Sequence, residues 1–232
     1  MLHPLFGEPK YHYPTALEPI VQVASQPLLL VVRGDQPWLD LEELIQYANE
    51  NPGKVKFAHS GVGSMTHLVG ESFSQHAKIK LQQVPFRGSS ESLAALLGGH
   101  VQVAISGPGQ VGEHIRSGSL RALAISSSDR LKSPSFINVP TFKEQGLDVV
   151  YNLWFGIGAP KGIPSEVKAR LAKGFREIID NSEFKSSQEK LSLQTDYLNP
   201  ADSAKKWLEE SEKFSLIVKE TGIDKMIKAQ KK

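Results

Sequence analysis

A strand–loop–helix unit occurs three times in succession between residues 54 and 116, and this repetition restricts the chain to a small set of folds. In each unit a short apolar run precedes a loop rich in Gly and Ser, and a helical pattern follows. Alternating strands and helices joined by short loops indicate an α/β protein with a largely parallel sheet. The predicted strands are 54–58, 81–84 and 101–105, and the helices extend to about His76, Leu97 and Arg116.

The segments on either side of these units predict further elements. Residues 1–20, rich in Pro, Tyr and His, are expected to form an irregular connector, and residues 126–134 a crossing segment. Trp154 and Phe155 are expected to pack in the core, with a position at the edge of a cleft as the alternative. The other predicted elements are a strand over 21–32 interrupted at Pro27, a helix to about Asn49 capped by Asp40, strands over 120–126 and 149–157, and helices over 165–180, 183–191 and 201–221.

Composition excludes several classes of function. The 27 Lys and Arg residues nearly balance the 25 Asp and Glu residues, whereas a general nucleic-acid-binding protein needs a basic excess. The absence of Cys excludes disulfides, thiolate metal sites and Cys nucleophiles. The longest apolar run, Leu28-Leu-Leu-Val-Val32, is too short to span a bilayer. The first residues do not resemble a signal peptide, so a chain complete as given is expected in the cytoplasm.

The three loops contain the residues best suited to bind a ligand. They cover residues 60–64, 87–90 and 106–109, and in a parallel sheet such loops gather at the carboxyl ends of the strands. Glycines allow close approach of the backbone, and helix N-termini present free N–H donors. Together the loops predict a cleft for an anion or a carboxylate. Hydroxyl donors would come from Ser60, Ser64, Thr66, Ser89 and Ser90.

Each of these features also has a purely structural interpretation. A loop can serve only as a connection, and a Ser in it only as a helix cap. Arg87 suits a bidentate clamp on a carboxylate, but a surface arginine without a ligand is an equal alternative. His59 and His67 flank the first loop without an acidic neighbour in sequence. Packed or solvated imidazoles are therefore expected, rather than metal ligands or general bases.

A second hypothesis comes from Gly107-Pro-Gly-Gln-Val-Gly112, which fits the G-x-G-x-x-G pattern of dinucleotide-binding proteins. The pattern follows a strand, and Asp129 lies near the end of the next one. In this hypothesis the chain is an NAD-binding oxidoreductase module. The short helix that follows, and the position of the pattern as third in the series, argue against it. Nucleophile-elbow, Walker, kinase and zinc-protease motifs are absent from the sequence.

A series of segments matches a known family in order. Two of them are the loops Ser60-Gly-Val-Gly-Ser-Met-Thr-His-Leu68 and Val84-Pro-Phe-Arg-Gly-Ser-Ser90. The others are 41–57, 96–103, 118–124, 139–146 and 154–160. Together they resemble the substrate-binding proteins of tripartite tricarboxylate transporters, the bacterial Bug receptors, over residues from about 15 to 224.

The resemblance implies an α/β fold with two lobes, like the type II periplasmic binding proteins, that closes around its ligand by a hinge motion. It implies a small organic acid as ligand, often a di- or tricarboxylate, delivered in the periplasm to membrane subunits of the transporter. It implies no catalysis and no cofactor. From the residues themselves, no metal site, no nucleic-acid partner and no direct membrane insertion are expected. With the loop analysis, the candidate ligand-binding residues are Ser60, Gly61, Gly63, Ser64, Thr66, Arg87, Gly88, Ser89, Ser106, Gly107 and Pro108.

The resemblance also predicts how the chain is divided. Residues 26–124 correspond to a complete second lobe, 125–232 to the C-terminal half of the first lobe, and 1–25 to a connector and a remnant of that lobe. Family members carry further elements ahead of the matching part. The first lobe is therefore expected to be N-terminally truncated, with an open sheet edge and exposed apolar helix faces. A truncated, non-functional copy is a further alternative. A hinge is predicted near Val32 and Ser126.

Overall fold

The computed structural model describes residues 16–230. The strands in this range are β1 (Leu17–Pro27), β2 (Leu29–Arg33), β3 (Lys56–His59), β4 (Gln82–Pro85), β5 (Val103–Ser106), β6 (Leu120–Ile125), β7 (Asn152–Pro160) and β8 (Gln194–Leu198). The helices are α1 (Leu41–Glu50), α2 (Met65–His76), α3 (Ser89–Leu97), α4 (Pro108–Arg116), α5 (Ser165–Asp180), α6 (Ser182–Lys190), α7 (Pro200–Glu220) and α8 (Ile223–Gln230). A single 3-10 turn in the described range spans Lys143–Gln145.

Five strands form the larger sheet, in the order β4-β3-β5-β2-β6. β3 is parallel to both β4 and β5, as the strand–loop–helix units predict. β2 is antiparallel to β5 and β6, its two neighbours. The prediction of a largely parallel sheet therefore holds for four strands, with β2 inserted in the opposite direction. β2 differs because it enters the sheet from the other half of the molecule, at the edge where the parallel strands end.

The larger sheet is covered on both faces. Along β2, Leu30 and Val32 face a core formed with α1 and α2, whereas Leu29 and Val31 face a core formed with α3 and α4. We call these the α1–α2 core and the α3–α4 core. Burial on both faces explains why the central strands β2 and β5 have nearly continuous apolar runs instead of an alternating pattern. Phe57 of β3 lies in the α1–α2 core and is completely buried.

The smaller sheet has three strands in the order β7-β1-β8, and both pairs are antiparallel. β1 begins at Leu17, so the prediction of an irregular connector is wrong for residues 17–20. Pro19 is tolerated because the pairing with β7 shifts register between Pro19 and Val21. Residues 1–15 of the predicted connector lie outside the described residues. β8 and α8 were not predicted, since the polar sequence of β8 has no strand pattern of its own.

The chain passes between the two sheets at Leu28, Ser126 and Tyr151, and one side chain joins the three passages. Ser126 Oγ accepts a hydrogen bond from Leu28 N–H at 2.9 Å and donates to the Tyr151 carbonyl at 2.6 Å. Val32, in contrast, is paired with strands on both sides. The first crossing therefore lies at Leu28, four residues before the predicted hinge position at Val32. The second crossing lies at Ser126, the other predicted hinge position.

Part of the C-terminal region packs on the larger sheet. Phe136 and Val139 lie in the α3–α4 core, and Phe142 lies in the α1–α2 core. Phe214 and Val218 of α7 join the α1–α2 core as well. The predicted division at residue 124 lies close to Ser126, where the chain crosses between the sheets. Residues beyond this division nevertheless pack in the cores of the larger sheet. The three predicted domain ranges remain a prediction.

The smaller sheet leaves apolar side chains exposed. Its own core has four fully buried members, Ile20, Val21, Ala159 and Ile179. Phe155 on β7 is 41% exposed, so the prediction that it packs in the core is wrong. Trp154 is half-buried, packs against Trp207 and donates its indole N–H to Glu210. On α5, apolar residues that face solvent are Val167, Leu171 and Ile178.

Between residues 16 and 230, the helices are too short or too polar to cross a membrane.

Candidate ligand-binding loops

The three predicted loops leave the larger sheet at the same edge. β3, β4 and β5 are parallel neighbours, with His59 opposite Pro85, so their carboxyl ends lie side by side. α2, α3 and α4 begin just after these ends. β2 enters the sheet at this edge too, because Leu29 is paired with Ser106. The loops therefore lie together, where the chain crosses to the smaller sheet.

Thr66 is the centre of the hydrogen bonds in the first loop. Its Oγ1 accepts from the Ser60 N–H at 2.9 Å and shares hydroxyl hydrogen bonds with Ser60 Oγ at 2.8 Å and Ser64 Oγ at 2.9 Å. Ser64 is also the N-cap of α2, since its Oγ accepts from the His67 N–H at 3.2 Å. Thr66 itself is buried. The hydroxyls of this loop are therefore already engaged in holding its shape.

Two glycines give the first loop its path. Gly61 has φ of 123° and Gly63 has φ of 79°, in the region that side chains rarely adopt. The Gly63 N–H donates to His67 Nδ1 at 3.0 Å, and the Ser64 N–H donates to the Gly61 carbonyl at 3.1 Å. With the Ser60 N–H also bound, three amides of the loop are unavailable. Backbone donors to a ligand must therefore come mainly from the first turns of the helices.

His59 and His67 lie directly beneath the first loop. Both are fully buried, and their rings stack with centroids 4.1 Å apart. Burial lowers the pKa of His59, although its hydrogen bond to the Gly61 carbonyl opposes this. Burial, with the neighbouring His59, lowers the pKa of His67 to about 4. Both imidazoles are therefore neutral at pH 7, which confirms the prediction that they are packed side chains.

α3 and α4 begin without a side-chain cap, unlike α2. Their N-cap residues are Gly88 and Gly107, which have no side chain to accept a hydrogen bond from the first turn. Pro108 is the first residue of α4 and has no N–H to satisfy. The first-turn N–H groups of α3 are therefore open to an anion, whereas in α4 the Gln110 N–H already donates to the Gly107 carbonyl at 3.1 Å.

The second loop places a cation at this edge. Arg87 is exposed, and its backbone N–H donates to the Glu91 carboxylate at 3.1 Å. Within residues 16–230, ion pairs closer than 4 Å do not include the Arg87 guanidinium. Ser89 is the first residue of α3 and is half-buried. The guanidinium is therefore available to a carboxylate, beside the open turn of α3.

The third loop is buried against the smaller sheet. Ser106, Gly107 and Pro108 are all buried, and Ser106 Oγ donates to Gln110 Oε1 at 2.9 Å. A Cβ atom on Gly107 would lie 3.2 Å from Nε2 of Gln26. Gln26 belongs to β1, so its amide reaches the third loop from the smaller sheet. Sequence reasoning missed Gln26 because it is 80 residues away and no local motif contains it.

Comparison with known proteins assigns the chain to a family. The model of the tripartite tricarboxylate transporter family receptors, TctC, matches residues 3–223. This chain belongs to that family. The predicted resemblance is thereby confirmed, and the candidate loops lie within the matched region. The chain is also similar to the protein BugT of Bordetella pertussis (strain Tohama I), with 35% identity over 210 residues that cover 89% of this chain and 63% of BugT.

Solved structures show the receptor fold. Rpa4515 of R. palustris, solved with adipate, is 25% identical to this chain and superposes with a TM-score of 0.85. The match covers 94% of this chain and 72% of Rpa4515. MatC of Rhodopseudomonas palustris, solved with malate, is 26% identical with a TM-score of 0.80, over 93% of this chain and 74% of MatC. The predicted two-lobe binding-protein fold is confirmed. The chain spans about 60% of the length of the curated relatives it matches.

The geometry of this family member does not favour the dinucleotide hypothesis. In a nucleotide-binding half, the strands that flank the glycine loop and its helix are parallel neighbours. Here the antiparallel β2 lies between β5 and β6. A Cβ atom on Gly109 would lie 2.7 Å from the Leu191 carbonyl oxygen. The space that a pyrophosphate would need beside this glycine is therefore filled by protein.

In residues 16–230, His, Asp and Glu side chains form no group of three suited to a metal ion.

Proposed function

We propose that this protein is a receptor that binds a small carboxylate and presents it to a tripartite tricarboxylate-type transporter in the periplasm. The observation that carries the proposal is the single sheet edge where two uncapped helix N-termini and the unpaired Arg87 guanidinium lie together. Relatives of the same fold have been solved with adipate and with malate. Both are small dicarboxylates, which supports this class of ligand.

In the proposed site, the N-terminus of α3 and the Arg87 guanidinium bind the ligand. The first turn of α3 would donate backbone N–H groups to one carboxylate, and the α4 N-terminus would contribute its positive end charge. Arg87 would donate two parallel hydrogen bonds to a carboxylate. The first loop would supply shape, since its hydroxyls are already hydrogen-bonded to each other. The proposed ligand-binding residues are those predicted, namely Ser60, Gly61, Gly63, Ser64, Thr66, Arg87, Gly88, Ser89, Ser106, Gly107 and Pro108.

Titration calorimetry with malate, adipate and citrate tests the proposal. We expect binding of at least one acid, and a loss of about tenfold or more in affinity for Arg87→Ala, because charge-assisted hydrogen bonds contribute roughly 1.5–3 kcal/mol. Arg116→Ala is the matched control, since Arg116 lies in the last turn of α4 and pairs with Glu113. A folded sample that gives no heat with the whole panel would reject the proposal and favour a non-functional copy.

A further inference from the structure

The stacked histidines beneath the first loop form a hydrogen-bonded chain whose proton positions follow from the contacts. The Glu71 carboxylate can only accept, so the Gln83 amide nitrogen, 2.6 Å from Glu71 Oε1, is the donor. Gln83 Oε1 must then accept from His67 Nε2 at 2.9 Å. With Nε2 protonated, Nδ1 of the neutral His67 ring is an acceptor. It accepts from the Gly63 N–H at 3.0 Å.

His59 is fixed in the opposite tautomer. Its Nδ1 lies 3.0 Å from the Gly61 carbonyl, which can only accept, so Nδ1 carries the proton. His59 Nε2 is then a bare acceptor, and this atom is buried without a hydrogen-bond partner in the described residues. The two rings lie nearly parallel, at 11°. Two neutral imidazoles of opposite tautomer therefore lie together with almost no access to solvent.

The two rings hold both ends of the glycine turn. His59 binds the carbonyl of Gly61, and His67 binds the amide of Gly63. These two glycines have the positive φ angles that shape the loop. His67 also belongs to α2, so its bond ties the turn to the helix that follows. The conformation of the first loop therefore depends on both hydrogen bonds, and the bond from the Gly63 N–H can form only while His67 is neutral.

We propose that His59 and His67 are positioning residues that hold the first loop in its binding conformation, and that protonation of His67 releases the loop. A proton on His67 Nδ1 would face the Gly63 N–H, and two donors cannot bond to each other. Acidification therefore breaks the Gly63 contact, while the His59 contact to Gly61 survives. The release of the loop does not depend on any ligand. The resulting change in ligand affinity rests on the proposed function.

The groups that face His67 agree with this release. His59 from β3 stacks on the ring, and a second positive charge there would be repelled. Glu71 from α2 faces it only through the Gln83 amide of β4. Burial raises the pKa of Glu71, although its hydrogen bond from Gln83 opposes this, so the carboxyl is a weaker partner for a charged neighbour than an exposed carboxylate would be. While the loop is closed, these surroundings disfavour a positive charge on His67. Protonation of His67 and opening of the loop are therefore coupled.

Nitrogen NMR of the full chain tests the loop device without any ligand. At pH 7 we expect His67 with its proton on Nε2 and His59 with its proton on Nδ1. On lowering the pH, the Gly63 amide should shift, and its protection factor relative to the intrinsic exchange rate at each pH should fall at least tenfold with the same midpoint as His67. The Gly53 amide, which donates to the Lys80 carbonyl at 2.8 Å outside this loop, is the internal control. Observation of the other tautomer of His67, or a Gly63 amide that ignores the titration, would overturn the proposal.

Two variants of similar size separate the roles of the two ring nitrogens. In His67→Asn the side-chain oxygen can replace Nδ1 as acceptor for Gly63, whereas in His67→Gln the amide nitrogen can replace only Nε2 as donor to Gln83. With malate as the probe, we expect His67→Asn to keep affinity within threefold and to lose the acid dependence. We expect His67→Gln to lose about tenfold, the loss of one buried hydrogen bond. Equal loss in both variants, with both folded by circular dichroism, would contradict the role of Nδ1.

The two experiments fail in different ways. If the wild-type chain binds none of the acids while the NMR titration shows the coupled release, the proposed function is wrong and the loop device stands. If malate binds but His67→Gln binds as tightly as the wild type, the device has no part in binding and the proposed function stands.

Discussion

The larger and the smaller sheet contain similar kinds of residue but bury them to different degrees. In the larger sheet, β2 and β5 are buried along their length and helices cover both faces. In the smaller sheet, β7 is mostly exposed, and Phe155 and Ile157 each have about 40% of their surface in water. The strands of the larger sheet all lie within residues 29–125, although C-terminal residues such as Phe142 and Phe214 add to its core. The smaller sheet, in contrast, is built from strands in distant parts of the chain.

The difference follows from connectivity. β3, β4 and β5 are separated only by single helices, so each strand pairs with a near neighbour in sequence. In the smaller sheet, β1 pairs with β7 and β8, more than 120 residues away. Short connections reduce the entropy lost on pairing. We therefore expect the larger sheet to be the more stable unit, and the following predictions test this comparison.

Acid should weaken the larger sheet and strengthen the contacts around α7. Burial lowers the pKa of His67 from 6.5 to about 4, which corresponds to roughly 3 kcal/mol at about 1.4 kcal/mol per pKa unit. The unfolded chain binds the extra proton in this window, so this stability is complete above pH 6.5 and is lost as the pH falls to 4. Hydrogen exchange of β3 and β5 amides from pH 7 to pH 4 measures the loss.

Glu210 should change stability with pH in the direction opposite to His67, and the same hydrogen-exchange experiment tests this. Burial raises its pKa, although the hydrogen bond from Trp154 opposes this. The folded state therefore binds its proton more readily than the unfolded chain, and its contribution grows as the pH falls through that raised pKa. Protection of β7 amides near Trp154 should decline less than that of β3 amides. Equal acid sensitivity in both sheets would break the comparison.

Ser126→Ala should loosen the link between the sheets. It leaves the Leu28 N–H and the Tyr151 carbonyl without their partner in a buried position. We expect a loss of about 2 kcal/mol in the free energy of unfolding, measured by urea denaturation. Ser127→Ala is the control, because that hydroxyl is partly exposed and bonds only to Asp129. A stability loss no larger than that of the control would show that the crossing does not couple the two sheets.

Two Gly→Ala changes in helices should have opposite signs. In α2, a Cβ atom on Gly70 would lie 1.9 Å from the buried ring of Phe57, so Gly70→Ala should cost about 1–2 kcal/mol through overpacking. In α5, a Cβ atom on Gly174 would have no neighbour within 4 Å. Gly174→Ala should therefore stabilise by about 0.5–1 kcal/mol through helix propensity. Thermal unfolding of the two variants measures both effects, and the same sign in both would contradict the packing difference.

Local patterns determined much of the larger sheet. The predicted bounds of α2 match the structure, because Ser64 caps it and Leu68 and Phe73 mark its buried face. The predicted bounds of α5, beside the smaller sheet, match too, because Pro164 directly precedes its first turn and an amphipathic pattern follows. The gathering of the three loops followed from strand order alone. These features depend on interactions between residues close in sequence, so the sequence contains their signal.

Only the tertiary structure decided the long-range features. β8 is polar and becomes a strand because it pairs with β1, which lies far away in sequence. The antiparallel direction of β2 depends on where the chain returns from the smaller sheet. His59 and His67 have no acidic neighbour in sequence, and Glu71 joins them through Gln83 only after β4 pairs with β3.

The amino-acid sequence by itself therefore determined the class of fold, the loops and most helix boundaries, since local propensity and hydrophobic periodicity suffice for these. The tertiary structure decided which loop amides are free, which tautomer each histidine adopts and how Gln26 reaches the third loop. Each of these depends on a hydrogen bond or a close approach between atoms that the backbone brings together only when the sheets assemble.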